Sequence, residues 1–261
     1  MSEFDSLELI RAIAAPFQDT SVAVETTCND EEDVIFEAEF ESIKYSFGAI
    51  DVRSNFNEKE YRGPTSESNW VLKDKLIVGS YPGDEDDKEN EKYLTQILNC
   101  GVTIFACLQH EYDNETPEEV WRNRFGLRPY FKDAEKMIAN KELYPTLTTS
   151  VTKVSLIHQK IRDCNTIDDR TTLKLAKKLV KAIYDGEVVY LHCWGGHGRA
   201  GVIVSIMIHL MFKLSALDSM YLCQKLHDMR EHNLGASSPQ TLQQRLQVIR
   251  IISTLVKGVA K

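Results

Sequence analysis

From Trp70 onward the chain alternates short apolar, β-branched runs with segments of 3.6-residue apolar spacing. That alternation calls for an α/β fold, a central mainly parallel or mixed β-sheet with helices on both faces. A second observation agrees: the run Glu187–His192 passes through a glycine-rich loop directly into the apolar segment that starts at Gly198. No internal repeat and no low-complexity tract competes with this reading.

The elements follow in order. Lys75–Ser80 reads as a short strand, stopped by Tyr81-Pro82-Gly83. Asp87–Asn99 has helical spacing in Tyr93, Leu94, Ile97 and Leu98, and Val102–Leu108 is a buried strand. Residues 109–150 are polar and partly helical, with Pro117 at a helix start and Pro129 and Pro145 as breaks. Val154–Ile161 is a strand, and Asp168 or Asp169 caps a helix over Thr171–Tyr184. Glu187–His192 is a strand, followed by a helix from Gly198 and two more near Ser215–Glu231 and Pro239–Val256.

Ahead of this region, Ser6–Phe17 suits a short helix, Val34–Glu41 alternates apolar and acidic residues as a strand does, and Lys44–Val52 suits its hairpin partner. The polar stretch Tyr61–Asn69 marks a boundary. Residues 1–64 therefore read as an N-terminal extension of short strands packing on a larger domain at 65–261.

Composition narrows the function classes. A formal net charge of -8 argues against a general nucleic-acid or anionic-membrane binder. Hydrophobic content of 43% and charged content of 27% are those of a water-soluble globular chain. The longest apolar run, Val202–Phe212, is too short for a membrane span. The acidic start Met1–Asp5 lacks the basic n-region of a secretory signal, so a cytoplasmic location is expected. Six scattered cysteines lack the density of a disulfide scaffold, and most read as reduced, buried thiols.

Chemistry concentrates in His192-Cys193-Trp194-Gly195-Gly196-His197-Gly198-Arg199. A loop that ends in a helix N-terminus presents backbone N–H groups to an anion. Gly195, Gly196 and Gly198 let the backbone approach the ligand closely, and Arg199 can fork onto two phosphate oxygens. Helix N-termini and adjacent cations also favour thiolate over thiol, which makes Cys193 a nucleophile without a neighbouring base. Spacing alone carries little, because Cys164 and Arg170 repeat it across a loop without glycine that holds Asp168 and Asp169. Those acids would repel phosphate.

The segment His192–Gly201 resembles the signature of the protein tyrosine phosphatase superfamily, in particular its compact dual-specificity-like branch. The resemblance extends over about residues 65–258. Trp70–Leu72 through Lys75–Pro82 looks like that branch's opening segment, and Ser238-Pro239-Gln240-Thr241-Leu242-Gln243-Gln244 is similar to its glutamine-bearing helix. The resemblance implies a phosphatase acting through a phosphocysteine, with no metal and no cofactor. It implies Asp163 as the proton donor, with Asp168 and Asp169 in reserve, and His192 as the residue that orients the loop. Trp194, Gly195, Gly196, His197 and Gly198 line the phosphate site, His197 either as an added positive charge or as a polar loop residue. Gln240 and Gln244 are candidates to position the hydrolytic water. The family usually has Ser or Thr after the arginine, where its hydroxyl stabilises the thiolate. Here Ala200 stands there, so slower breakdown of the phosphoenzyme is expected.

Substrate is less determined. A phosphorylated protein is expected. Trp194 and His197 stand where lipid phosphatases of the superfamily tend to carry lysines, which weakens a phosphoinositide or inositol phosphate reading without removing it. Glu111-Tyr112-Asp113 and Trp121-Arg122-Asn123-Arg124 are candidate substrate contacts, and Cys107 is a candidate disulfide partner for Cys193, against a buried inert thiol. The competing readings are a non-catalytic phosphate-binding module, a metal site of His192, Cys193 and His197, and a rhodanese-like sulfurtransferase.

Overall fold

Parallel strands need a crossover long enough to return over the sheet, and a helix is the usual solution. The spacing of apolar runs here allows it. In the computed structural model the described residues are 50–54 and 56–259, together with Phe36, Phe40 and Phe47. The chain divides into two compact units, residues 1–43 and 44–261, and every element named below lies in the second.

Five strands form one sheet: β1 (Ser68–Leu72), β2 (Leu76–Gly79), β3 (Ile104–Gln109), β4 (Ser155–Ile161) and β5 (Val189–His192). Their spatial order is β1-β2-β5-β3-β4. β1 and β2 are an antiparallel hairpin, whose turn uses a left-handed Asp74 at φ 59°. The pairs β2/β5, β5/β3 and β3/β4 are parallel. β5, the last strand in sequence, sits at the centre between two older pairs, and its C-terminal end opens where the connections diverge to either side.

The helices are α1 (Glu58–Tyr61), α2 (Asp87–Leu98), α3 (Glu118–Arg122), α4 (Tyr130–Ala139), α5 (Asp169–Tyr184), α6 (Gly198–Phe212), α7 (Ala216–His227) and α8 (Leu242–Val259), with a 3₁₀ turn at Lys141–Leu143. Side-chain caps set several starts. Asp86 accepts from the N–H groups of Lys88 and Glu89, Asp168 from Thr171, and Ser215 from Asp218. Pro117 and Pro129 stand immediately before α3 and α4, so Pro129, expected as a break, is also a start.

Strand alternation divides the core. Ile77, Phe105, Cys107 and Tyr190 pack on one face with Leu94 and Ile97 of α2 and Phe131 and Met137 of α4. The alternate residues Leu76, Val78, Ala106, Val189 and Leu191 are buried on the other side. There α6 is the central helix, buried from Gly198 to Met211 and packed against α5, α7 and α8. No single helix among the described residues is long and apolar enough to cross a membrane.

The region before α1 departs from expectation. Within the run read as a strand at 34–41, the two described residues, Phe36 and Phe40, are helical, and their rings meet 6.2 Å apart. An i, i+4 aromatic pair outweighs the alternation there. Phe47 and residues 50–54 belong to no strand. The rest of that reading, including the helix at 6–17, lies outside the described residues. The polar stretch at 61–69 ends as strand, since Ser68 and Asn69 open β1.

Leu191 is fully buried in the central strand. Leu191→Ala should lower unfolding free energy by about 3 kcal/mol, read from urea denaturation at unchanged m-value.

Candidate active site

The loop from Cys193 to Arg199 leaves the C-terminal end of β5 and enters α6. Its carbonyl oxygens are all engaged. That of Cys193 accepts from His192 Nδ1 at 3.3 Å, and that of Trp194 from the Tyr81 N–H at 2.8 Å. Gly195 and Gly196 accept from Arg230 Nη1 and Nη2 at 2.9 and 2.8 Å. The His197 carbonyl accepts from Ser238 Oγ and from the Gly201 N–H, both at 3.0 Å. By contrast, the backbone N–H groups of Trp194 to Arg199 donate to no protein acceptor among the described residues. They leave a row of donors for an anion beside the buried Cys193.

Gly196 makes this winding possible. Its φ is 69°, and a Cβ there would fall 2.1 Å from the carbonyl oxygen of Gly79 at the end of β2. Both the left-handed backbone and the close approach exclude a side chain.

Arg199 is 1% exposed and holds the open side of the loop. It forks onto Glu111 through Nη1 and Nη2, each at 2.9 Å, and Nη1 also donates to the Ile161 carbonyl at 2.9 Å. Nη2 lies 3.1 Å from Asp163 Oδ1. Only Nε, buried, has no partner. Burial pushes the Glu111 carboxyl up, but the paired bonds from Arg199 more than reverse this and hold it below its usual range. The carbonyl end of β4 and the residues following β3 and β4 thus position the guanidinium.

His192 is buried and carries no charge at neutral pH, because burial pulls its pKa down to about 3. One ring proton then remains. Nδ1 faces a carbonyl, which only accepts, so Nδ1 carries that proton and Nε2 accepts from the Tyr130 hydroxyl at 2.6 Å. With both ring nitrogens occupied, His192 is not available as a metal ligand. His197 donates from Nδ1 to the Gly195 carbonyl at 3.0 Å, and burial lowers its pKa as well. Of its two expected roles, the polar loop residue is the one its surroundings favour.

The remaining expected residues divide. Asp163 stands beside Arg199, whereas Asp168 caps α5 and Asp169 pairs with Arg250 at 2.5 Å. The decoy Cys164 is an exposed turn residue with φ 58°. Trp194 is 58% exposed and stacks on Tyr81, with ring centroids 6.0 Å apart and planes 9° from parallel. Gln244 is buried. Its Oε1 accepts from the N–H groups of Gln240 and Thr241, and its Nε2 donates to the Asn165 carbonyl, tying α8 to the Asp163 loop. Gln240 Oε1 would stand 3.0 Å from a Cβ on Gly198, at the loop's edge. Cys107 pairs in register with His192, and burial pushes its thiol up to about 12, which keeps it protonated. Arg122 and Arg124 are engaged by Asp87, Glu118 and Glu85 around α2 and α3, away from Arg199.

A family model described as Swiss Army Knife protein, DSP-PTPase phosphatase domain (PTP-SAK), matches residues 65–245. The chain belongs to that family. A protein of Invertebrate iridescent virus 3 named "Putative tyrosine phosphatase 067L" is 25% identical over 169 residues, a match spanning 63% of this chain and 55% of the viral one. Among solved structures, kinase associated phosphatase (KAP) with its catalytic site cysteine changed to serine superposes with a TM-score of 0.47 at 17% identity, covering 69% of this chain and 87% of KAP. PTPMT1 in complex with PI(5)P gives 0.46 at 13% identity, covering 71% and 95%. These two are likenesses of fold alone. Residues 65–245 are thus a phosphatase domain of the tyrosine and dual-specificity type.

Two residues that shape this site escaped the sequence reading: Tyr130 and Arg230 reach it from distant segments, and no local motif marks them, while Ser238, read only as the start of the glutamine-bearing segment, holds the His197 carbonyl. Glu111 was singled out as a substrate contact, yet its partner is Arg199.

Gly196→Ala should weaken binding of phosphate or vanadate about tenfold or more, since a left-handed non-glycine residue costs about 1–3 kcal/mol before the clash is counted. Titration calorimetry on the folded variant measures this directly.

Proposed function

We propose that the phosphatase domain hydrolyses phosphate monoesters through a covalent phosphocysteine on Cys193, with aryl phosphates of the phosphotyrosine kind as its preferred substrates. The supporting observation is the division within the loop: carbonyls engaged outward, N–H groups free around a buried cysteine, and Arg199 Nε unpartnered.

The substrate's phosphate takes the N–H groups and Arg199 Nε. Cys193 Sγ, as thiolate, attacks phosphorus and the ester P–O bond breaks. The departing oxygen takes the proton of the Asp163 carboxyl. Water then attacks the phosphocysteine and gives its proton back to Asp163. The S–P bond breaks, releasing inorganic phosphate and restoring the thiolate. Asp163 reaches Arg199 by a single contact and is 68% exposed, so an arriving phosphate oxygen can displace it toward the leaving group. Gln240 and Gln244 border the same loop and are suited to hold the attacking water.

Two features support the substrate class. The exposed Trp194 ring, braced by Tyr81, offers a flat apolar wall next to Cys193 for a phosphorylated ring. Glu111 and Asp163 flank Arg199 and would repel a second phosphate group, which disfavours polyphosphorylated headgroups.

With a small aryl phosphate in EDTA, the purified chain should turn over. Cys193→Ser should abolish hydrolysis while retaining vanadate binding, and Asp163→Asn should lower kcat about 10²–10⁴-fold. A wild-type chain that binds vanadate without turnover would leave only a phosphate-binding module.

Ala200 is fully buried at the start of α6 and brings no hydroxyl to the thiolate. Ala200→Ser should raise the steady-state rate about tenfold, the equivalent of one hydrogen bond to a charged group. Stopped-flow measurement of phosphoenzyme breakdown separates this from a change in binding.

A further inference from the structure

We infer that Arg230 is the positioning residue of the phosphate loop and a second, hidden cation of the site, acting from behind the loop. The inference rests on the proposed phosphocysteine reading.

Arg230 follows α7 in a turn and is 5% exposed. Nε donates to Asn69 Oδ1 at 2.8 Å, and Nη1 to the Gly195 carbonyl at 2.9 Å. Nη2 donates to the Gly196 carbonyl at 2.8 Å and to the Val78 carbonyl at 3.3 Å. All four acceptors are uncharged. A buried guanidinium normally has a carboxylate to offset its desolvation. Here the nearby carboxylate of Glu67 acts only through space, and on the proposed mechanism a substrate phosphate would bring matching negative charge to the other side of the loop.

The loop transmits that charge. The carbonyls of Gly195 and Gly196 belong to the same peptide units as the N–H groups of Gly196 and His197. A cation on a peptide's oxygen polarises the whole unit and strengthens its N–H as a donor. Arg230 therefore does two things at once. It turns two carbonyls away from the pocket, and it makes the two opposite N–H groups better partners for an anion. Its link to Val78 and Asn69 fixes this geometry to β1 and β2, the rigid edge of the sheet. Although burial lowers the Arg230 guanidinium to about 10, it remains charged at neutral pH.

Other charged and titratable groups around Cys193 do not supply this effect. Arg199 is already balanced by Glu111 and Asp163. His192 and His197 of the loop are held toward neutrality by burial. Burial raises Cys107 of β3 and Tyr190 of β5, and Cys164 beside Asp163 is raised too. Arg230 is the cation in this group that has no carboxylate among its hydrogen-bond partners.

The test compares the full chain with Arg230→Met, Arg230→Lys and Asn69→Asp, the last placing a carboxylate on the guanidinium without removing it. Three quantities are read: the pH profile of Cys193 alkylation by iodoacetamide, vanadate affinity, and kcat and KM for an aryl phosphate, with thermal unfolding as the check of folding. Arg230→Met and Asn69→Asp should each displace the alkylation profile upward by about one pH unit, the usual scale for losing a neighbouring cation. Arg230→Lys should restore most of the profile but bind vanadate more weakly than wild type, because an ammonium cannot fork onto two carbonyls. A folded Asn69→Asp or Arg230→Met with the wild-type profile and affinity overturns the inference, and so does a Lys variant no better than Met. Should Arg230→Met not fold, Asn69→Asp decides. If the wild-type chain itself neither turns over nor alkylates faster at Cys193 than a free thiol, the phosphocysteine reading has failed instead.

Discussion

An anion site made of backbone depends on what happens to the other half of each peptide. Every N–H turned toward a phosphate leaves a carbonyl turned away, and a buried carbonyl without a partner costs about 1–3 kcal/mol. Here the five carbonyls from Cys193 to His197 find partners on five different segments: His192, Tyr81, Arg230, Ser238 and the first turn of α6. The loop is held by its back. The arrangement of β1, β2, the turn after α7 and the segment before α8 around the end of β5 is, in this sense, the mould of the site. The conformational cost of the loop's shape is met on folding, before a ligand arrives.

The two buried arginines have opposite relations to charge. Arg199 is almost saturated by oxygen: Glu111 twice, Ile161 and Asp163, with Nε left over. Glu111 fixes the plane of the guanidinium and offsets its burial, so Arg199 can be aimed without being lost to the ligand. Arg230 touches only neutral oxygens and acts through them. The pocket that results gathers backbone and guanidinium donors for a single phosphate group inside a chain of net charge -8.

Much of this architecture could be read in the amino-acid sequence. The β strands from Leu76 onward and the long helices had strong periodicity, with a cap at Asp168 or Asp169, and they fall within a few residues of expectation. The loop at 192–199 was readable because its chemistry is contiguous. So was Cys164–Arg170 as a decoy, since its loop lacks glycine and holds Asp168 and Asp169, which the structure uses as a cap and an ion-pair partner. What could not be read were contacts made by residues far apart in the chain. Nothing near Tyr130 announces that its hydroxyl meets His192, and Arg230 sits in an unremarkable polar turn. At Glu111 the residue was noticed and its partner was not, because the carboxylate meets Arg199 only once β3 and β5 have paired. Before α1 the failure was of another kind: the alternation in 34–41 fits a strand, while the i, i+4 pair Phe36 and Phe40 fits the helix they occupy.

On the proposed mechanism, the contact between Asp163 and Arg199 links substrate arrival to acid catalysis. Asp163 and Glu111 both border the guanidinium, but they are held unequally. Glu111 makes two parallel bonds of 2.9 Å and is pinned further by Gln109, while Asp163 makes one contact of 3.1 Å from an exposed loop. Exposed single-point ion pairs contribute about 0–1 kcal/mol, so the weaker carboxylate yields first when a phosphate dianion competes for the same guanidinium edge. Displaced, Asp163 is free to turn toward the leaving oxygen, the group it serves as acid on the proposed mechanism. Gln244 ties the loop that carries Asp163 to α8, through its bond to the Asn165 carbonyl. On the proposed mechanism, the acid is therefore released by the same event that delivers phosphorus to Cys193.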